Sequence, residues 1–331
     1  MIDALLHPAD LIRARVLRAL GPLVRPFVVD RELRVMTMAV LVIGFALLGS
    51  VVFPFWMLAL GPIVWGVPHV LSDVRYLVVQ PGHHRNVALA LGVGVPIAIA
   101  GLGGGVAAGF VATAAVFLLV RCPLWKRVAG LAAASVGLAA SLWWVGTADL
   151  VFAHAHNVIA VLLWWAWRPR HRRLHLLPLL AFAAATAALA LGLLDPLVLR
   201  LSAATGSLAG LDTAYFLAAL TPDGLDPALG GRLVLLFAFA QSVHYGIWIR
   251  MMPEEARPQR TPRTFRATWR ALTADFGRWP LLLTAIAAVG LVAWALVDLA
   301  EARLGYLRLA SFHGHLELAA AALLFARGRP R

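Results

Sequence analysis

The sequence predicts an all-α, polytopic membrane protein, and three observations lead to that prediction. First, 61% of the 331 residues are hydrophobic and only 14% are charged, whereas a soluble domain is about half apolar and a quarter charged. Second, the mean hydropathy is +0.82, and the apolar excess recurs along the whole chain. Third, basic residues concentrate in alternate loops between the apolar segments. Together these features indicate a bundle of about ten transmembrane helices.

The N-terminal segment, residues 1–34, precedes the first apolar span. Arg13, Arg15, Arg18 and Arg25 are interspersed there with Leu and Val residues, a pattern typical of a basic amphipathic helix on a membrane surface. A removable signal peptide would instead show a short basic start, an apolar core and a small-residue cleavage site. We therefore expect 1–34 to be an interfacial segment.

The remainder, 35–331, is expected to form a single transmembrane domain. A hydrocarbon core about 30 Å thick requires roughly 20 apolar helical residues. The segments that approach this length are 36–53, 55–79, 86–102, 105–121, 125–145, 148–168, 174–194, 232–250, 279–299 and 304–326. Between them, 195–231 is interpreted as an extracytoplasmic amphipathic segment and 251–278 as a basic cytoplasmic loop.

The loop charges predict the orientation of the spans. Every second loop is rich in Arg or Lys, and the loops between these are neutral or acidic. The basic ones are QPGHHRN, RCPLWKR, RPRHRRLH, the 251–278 loop and the C-terminal tail. Because positive loops stay inside, both termini are expected in the cytoplasm, in a bacterial-type inner membrane.

The net charge of +13 follows from the same loops, so no nucleic-acid partner is expected. Membrane lipids are the expected surroundings, and the oligomeric state stays open. Cys122 is the only cysteine, which excludes an intramolecular disulfide.

Six of the eleven histidines fall inside predicted spans, and all six lie in even-numbered ones. They are His69, His154, His156, His244, His313 and His315. Asp73 and Glu317 are the acids well inside spans, and each follows a histidine by four residues, which places it on the same helical face. Because ionisable groups inside a membrane usually face a polar interior, we expect one site assembled from four helices.

Inward-facing histidines and carboxylates in a four-helix interior commonly hold a metal. Positions i and i+2 of a regular helix point about 200° apart, so His154 and His156 are not expected to bind one ion together. The same holds for His313 and His315. Either one member of each pair binds, or two metals share the site.

Neutral imidazole suits iron, copper and zinc. Non-haem iron is the expected cofactor, and copper, zinc or a haem with two axial histidines are alternatives. Asp73 and Glu317 are the candidate catalytic groups, which would orient ligands, bind a second metal or transfer protons.

The stretch GVPHVLSD resembles a motif of the membrane β-carotene dioxygenases of the bacteriorhodopsin-related-protein type, which cut carotene to retinal. The Gly-x-Pro-His-x-x-x-Asp pattern is matched by Gly66, Pro68, His69 and Asp73. The resemblance implies an all-helical fold, with His69 as an iron ligand and Asp73 as a nearby orienting group. That family also carries two histidines four residues apart in a later span, where this chain has its i,i+2 pairs.

These observations lead us to expect a membrane-embedded non-haem iron oxygenase or oxidase. Its substrates would be dioxygen and an apolar molecule such as a carotenoid, isoprenoid, quinone or lipid. Three other classes stay open: a haem protein that exchanges electrons with quinone, a proton- or ion-coupled transporter, and a structural assembly partner.

Overall fold

The computed structural model describes residues 2–168, 173–201 and 207–328. The all-α prediction is confirmed. Strand structure among the described residues is limited to a hairpin of two antiparallel two-residue strands, β1 (Ser207–Leu208) and β2 (Leu211–Asp212). Residues 169–172 of a predicted basic loop, 202–206 of the predicted extracytoplasmic segment and 329–331 of the predicted cytoplasmic tail lie outside the described residues.

The helices follow one another with short connections. They are α1 (Ile2–Val29), α2 (Arg31–Val52), α3 (Pro54–Val74), α4 (Val87–Gly92), α5 (Gly94–Ile99), α6 (Gly105–Leu119), α7 (Leu124–Trp143), α8 (Thr147–Trp167), α9 (Leu176–Ala190), α10 (Asp195–Leu201), α11 (Thr213–Leu220), α12 (Pro227–Gly246), α13 (Met252–Glu255), α14 (Phe265–Phe276), α15 (Arg278–Val297), α16 (Leu299–Ala310) and α17 (Phe312–Arg327). Three π-helical turns follow α3, α5 and α12 directly, at Arg75–Val79, Ala100–Gly104 and Ile247–Met251.

Eight helical segments of the described chain are long and apolar enough to cross a membrane, as an integral membrane protein requires. They are Arg31–Val52, Pro54–Val79, Val87–Leu119, Thr147–Trp167, Arg173–Ala190, Pro227–Glu255, Arg278–Val297 and Leu299–Arg327. Apolar length alone therefore indicates eight spans rather than ten.

The difference from ten lies in two places. The segment Val87–Leu119 covers the predicted third and fourth spans, and the chain turns back within it at Gly103 and Gly105, whose φ angles of 105° and 60° favour glycine. Helices α4 and α5 accordingly pack against α6. The predicted fifth span is α7, a 20-residue helix that is less apolar because its first turn carries Lys126 and Arg127.

The four helices that carry the intramembrane histidines meet in the interior. Helix α12 contacts α3 and α8, and α17 packs against both of these as well. Helices α2, α6, α9 and α16 surround this group, whereas α15 packs on α3 and α16 with most of its surface exposed. The fold thus brings distant parts of the sequence to one central position.

The N-terminal helix α1 packs on α14, the helix of the predicted basic loop. Asp10 joins the two, since its carboxylate accepts hydrogen bonds from the backbone N–H groups of Phe265 (2.7 Å) and Arg266 (3.3 Å). These are the first N–H groups of α14, which have no partner inside the helix. A second contact is the exposed ion pair between Asp3 and Arg270.

A buried ion cluster joins the start of α2 to α13. It consists of Arg34, Glu254 and Arg257, and we call it the Glu254 ion cluster. One carboxylate oxygen, Oε2 of Glu254, lies 2.9 Å from Nη2 of Arg34 and 3.0 Å from Nη2 of Arg257. The other, Oε1, lies 3.3 Å from Arg250. Both oxygens of the carboxylate are therefore paired.

Candidate metal centre

Four imidazole rings, one from each histidine-bearing helix, lie in mutual contact at the centre of the bundle. The ring of His69 lies 4.8 Å from that of His313 and 5.3 Å from that of His244, measured between centroids. The ring of His156 lies 5.2 Å from that of His244 and 5.3 Å from that of His313. All four pairs meet edge to face, and ring nitrogens of His69, His244 and His313 share a common space.

His69 is held by its own helix in an orientation that leaves one nitrogen available. Its Nδ1 lies 3.3 Å from the carbonyl oxygen of Trp65, one turn earlier, and so donates its proton to that oxygen. Nε2 then carries the lone pair, and this buried atom has no hydrogen-bond partner among the described residues. A hydrogen bond from the other ring nitrogen to a carbonyl oxygen commonly fixes the tautomer of a metal-ligating histidine.

The glycine of the GVPHVLSD stretch has a packing role beside His69. A Cβ atom on Gly66 would lie 2.4 Å from Cζ of Tyr306 on α16, so only glycine lets that ring approach. The hydroxyl of Tyr306 in turn lies 3.4 Å from Nδ1 of His69. The match to the motif therefore has a steric reason in this fold.

His313 occupies the first turn of α17, just after the break between α16 and α17 at Ser311. Its Nδ1 donates to the carbonyl oxygen of Ala310, which leaves Nε2 as the available nitrogen. The break in the helix releases that carbonyl from its regular partner, and the histidine uses it for orientation.

The acidic residues approach the rings from two sides. Ligand atoms of His69, Asp73, His244 and His313 all lie within 4.8 Å of one another. Two atoms on opposite sides of one metal ion are about 4.2 Å apart at bond lengths near 2.1 Å, so a small contraction brings this set to coordination distance. Asp73 is completely buried, and neither of its oxygens accepts a hydrogen bond from a described residue.

Glu317 lies beside His244. Its Oε1 accepts a hydrogen bond from Nε1 of Trp248 at 2.7 Å and lies 3.4 Å from Nε2 of His244. Trp248 lies in the π-helical turn Ile247–Met251. Its backbone carbonyl oxygen accepts a hydrogen bond from the hydroxyl of Ser72 at 2.5 Å. The i+4 spacing predicted Glu317 beside His313, but its contacts are with α12.

The two i,i+2 histidine pairs are each split by the helix. His156 and His313 join the central rings, whereas Nε2 of His154 lies 3.0 Å from the carbonyl oxygen of Leu220 and its ring contacts Phe237. His315 stacks on Phe152, with centroids 4.6 Å apart and planes 4° apart. Side chains at positions i and i+2 of a helix point in nearly opposite directions, which explains this division.

A cavity of about 1250 Å³ opens from the four rings. It exceeds the roughly 300–1,000 Å³ of most small-molecule sites and is lined mainly by apolar groups from α5, α8, α12 and α16. Among its polar lining residues are Tyr215, Tyr245, Arg303 and Asp149. Tyr245 packs on His69 at a centroid distance of 4.8 Å, which joins the cavity to the rings.

Three neighbours of the rings, Tyr306, Trp248 and Arg303, were not predicted as site residues. Arg303 lies one residue before the predicted tenth span, 304–326, and so did not stand out as an ionisable residue inside a span. Nothing local in the sequence marks Tyr306 or Trp248. Arg75, two residues after Asp73 in the chain, forms an ion pair of 2.6 Å with Asp275.

Comparisons with known proteins add no identification. No protein-family model, no curated protein and no solved structure matches this chain. Function must therefore be argued from the centre itself.

Proposed function

We propose that this chain is a membrane-embedded metalloenzyme of the non-haem iron oxidoreductase type, acting on an apolar substrate. One observation carries the proposal: the imidazoles of His69, His244 and His313 converge with the carboxylate of Asp73, and several of these buried ligand atoms have no hydrogen-bond partner among the described residues. An unpaired buried polar atom costs roughly 1–3 kcal/mol. A bound cation would use one nitrogen of each ring and the carboxylate of Asp73, and so would offset part of this cost.

The donor set favours iron. His69, His244 and His313 would supply neutral nitrogens and Asp73 an oxygen, with His156 as a further nitrogen. Two histidines and one carboxylate with open positions are typical of non-haem Fe(II) oxygenases, and iron so held supplies the activation of dioxygen. Copper and zinc bind similar donors, so elemental analysis of the purified protein is the measurement that identifies the ion.

The protein's own groups would bind and position the substrate. The apolar cavity would hold a carotenoid, isoprenoid, quinone or lipid chain against the rings and exclude water from them. Glu317, oriented by Trp248, would hold His244 or exchange a proton with it. Asp73 would complete the ligand set.

Access from the bilayer is supported by a second cavity. An apolar groove of about 490 Å³ lies between α3, α15 and α16 and is lined by Tyr306 and Phe312, which also line the cavity at the rings. An apolar molecule in the membrane would therefore reach the centre laterally, past Tyr306.

The contacts between the rings disfavour haem. His69 meets both His244 and His313 edge to face, and a macrocycle between two axial histidines requires an open plane that these contacts fill. Proton- or ion-coupled transport or a purely structural role would be favoured if the test below finds no dioxygen consumption.

Topology is part of the proposal. Ten spans follow if Val87–Leu119 crosses twice, through its turn at Gly103 and Gly105, and if α7 also crosses. The alternation of basic loops then places both termini in the cytoplasm of a bacterial-type inner membrane.

The proposal is tested by turnover. Purified chain loaded with Fe(II) is mixed with a carotenoid, a quinone or a long-chain lipid, and dioxygen consumption is followed with product analysis. We expect consumption with at least one substrate, its loss in a His69→Ala variant, and its retention in His154→Ala. Equal consumption by all three proteins would contradict the proposal, and so would none by any of them.

A further inference from the structure

Arg303 of α16 is a buried cation that has no acidic partner in the part of the chain that the structure describes. The residue is 3% exposed, and its guanidinium donates from Nε to the carbonyl oxygen of Leu58 at 2.9 Å and from Nη1 to the hydroxyl of Tyr215 at 3.2 Å. A guanidinium has five N–H donors, and no other hydrogen bond from it reaches a described residue. Part of its donor capacity is therefore open.

The other buried arginines of the described chain differ in this respect. Arg34 and Arg257 share the carboxylate of Glu254, and Arg75 pairs with Asp275. Removing a cation from water costs several kcal/mol unless a counter-charge compensates it. Arg303 has no such counter-charge among the described residues. Its guanidinium carbon lies 5.2 Å from the ring centroid of Phe216 and 5.8 Å from that of Tyr215, which leaves the charge only partly compensated and points to an anionic ligand.

The position of Arg303 is that of a substrate-binding group. It lines the 1250 Å³ cavity together with Tyr215, Tyr245 and Tyr306. Two of these tyrosines reach the metal centre: Tyr245 packs on the ring of His69, and the hydroxyl of Tyr306 lies 3.4 Å from Nδ1 of that histidine. A group bound at Arg303 would therefore lie beside the centre, with the rest of its molecule in the apolar cavity.

We infer that Arg303 binds the carboxylate of an apolar-chain acid, such as a fatty acid or an isoprenoid acid. A carboxylate accepts two parallel hydrogen bonds from one guanidinium, and its single negative charge matches the single buried cation of the cavity lining. The hydroxyl of Tyr215 completes the polar end of the site. This inference names the substrate class of the proposed enzyme and rests on the proposed function only for the subsequent chemistry, since binding requires no metal.

The test compares two probes that differ only in their head group, palmitate and hexadecanol. Binding to metal-free, full-length chain in phosphatidylcholine nanodiscs is measured by displacement of a fluorescent fatty acid. We expect palmitate to bind at least about tenfold more tightly than hexadecanol, as a charge-assisted hydrogen bond of about 1.5–3 kcal/mol requires. Equal affinities for the two probes would overturn the inference without any variant.

Variants then assign the preference to Arg303. Arg303→Gln should remove the preference for palmitate while binding of hexadecanol is kept, which also shows that the variant is folded. Arg308→Gln is the matched control, because Arg308 lines the same cavity but is exposed, and it should keep the preference. A palmitate preference that survives Arg303→Gln would refute the assignment.

Failure of this inference is distinguishable from failure of the proposed function. Carboxylate preference in the metal-free chain, without any metal-dependent turnover, would retain the Arg303 site and reject the oxidoreductase. Turnover of a neutral substrate, with no preference for palmitate, would retain the oxidoreductase and reject the Arg303 site.

Discussion

Two buried polar clusters in the same bundle are built in opposite ways. In the Glu254 ion cluster, both carboxylate oxygens of Glu254 are paired, and all three side-chain nitrogens of Arg34 donate hydrogen bonds. In the metal centre, Asp73 has no donor on either oxygen, and both ring nitrogens of His244 lack hydrogen bonds among the described residues. The Glu254 ion cluster is thus largely satisfied by its own residues, with Nε of Arg257 as an exception. The unsatisfied set is where a ligand is expected.

The largest expected effect is loss of metal when an inward histidine is removed. His156→Ala should lower the metal content of the purified protein more than about tenfold, since even outer-shell changes cost 10- to 100-fold in affinity. His154→Ala is the matched control from the same helix and should leave metal content unchanged, because His154 bonds the carbonyl of Leu220. Elemental analysis checks both variants.

The second pair repeats the comparison on α17. His313→Ala should lose metal, whereas His315→Ala should retain it because His315 stacks on Phe152. If His154 and His315 mattered as much for metal content as His156 and His313, the assignment of ligands would be wrong.

A smaller effect is expected one step away from the ligands. Trp248→Phe removes the hydrogen bond to Oε1 of Glu317 and keeps most of the packing volume. Metal affinity should fall about 10- to 100-fold, with the dissociation constant measured by competition against a chelator. Trp164→Phe, another fully buried tryptophan, is the control and should leave affinity unchanged.

A substitution in the Glu254 ion cluster should lower the stability of the protein and leave its metal binding unchanged. Glu254→Gln leaves Arg34 and Arg257 without their shared carboxylate, and breaking a buried pair costs roughly 3 kcal/mol. Unfolding in a denaturing detergent should therefore shift to lower concentration, while metal content per folded chain stays at the wild-type value. If Glu254→Gln lost metal without losing stability, the proposed difference between the two clusters would be wrong.

The smallest effect concerns the contact between α1 and α14. Burial raises the pKa of Asp10, but hydrogen bonds from the backbone of Phe265 and from Arg266 outweigh it and lower the pKa below the ordinary 3.8. The contact is therefore fully stabilised above pH 3.8 and weakens as the pH falls through the lowered pKa. Spin labels on α1 and α14 should report separation only in acid.

The Asp10→Asn variant should separate the two helices slightly at neutral pH and lose most of the acid response. Asp3→Asn is the control, since Asp3 forms only an exposed ion pair with Arg270, which contributes little. An acid response that persists in Asp10→Asn would assign it to another group.

Much of the fold follows from apolar periodicity and charged loops, and the convergence of four helices follows from where the histidines fall. The rotation of each helix does not follow, since tertiary packing determines it. The i,i+2 argument predicted that His154 and His156 would separate, but only packing decides that His156 faces inward. Glu317 shows the same limit, because its helical face is shared with His313 while its contacts lie on α12.

The residues that neighbour the centre could not be predicted from local sequence patterns. Tyr306 reaches His69 because Gly66 is small, and these residues lie 240 positions apart in the chain. Trp248 is positioned by a π-helical turn, which no simple pattern of apolar residues indicates. Such contacts depend on how helices pack and on local departures from regular geometry.

The central claim is that the four rings and Asp73 hold a metal ion. The most direct measurement is elemental analysis with an optical spectrum of the wild-type chain, purified in mild detergent without chelators, beside a His69→Ala/His313→Ala double variant. We predict about one or two irons per wild-type chain, coordinated by nitrogen and oxygen, no Soret band, and little iron in the double variant. A Soret band would contradict the non-haem account. Wild-type protein that carries no metal and rebinds none would contradict the metal centre itself.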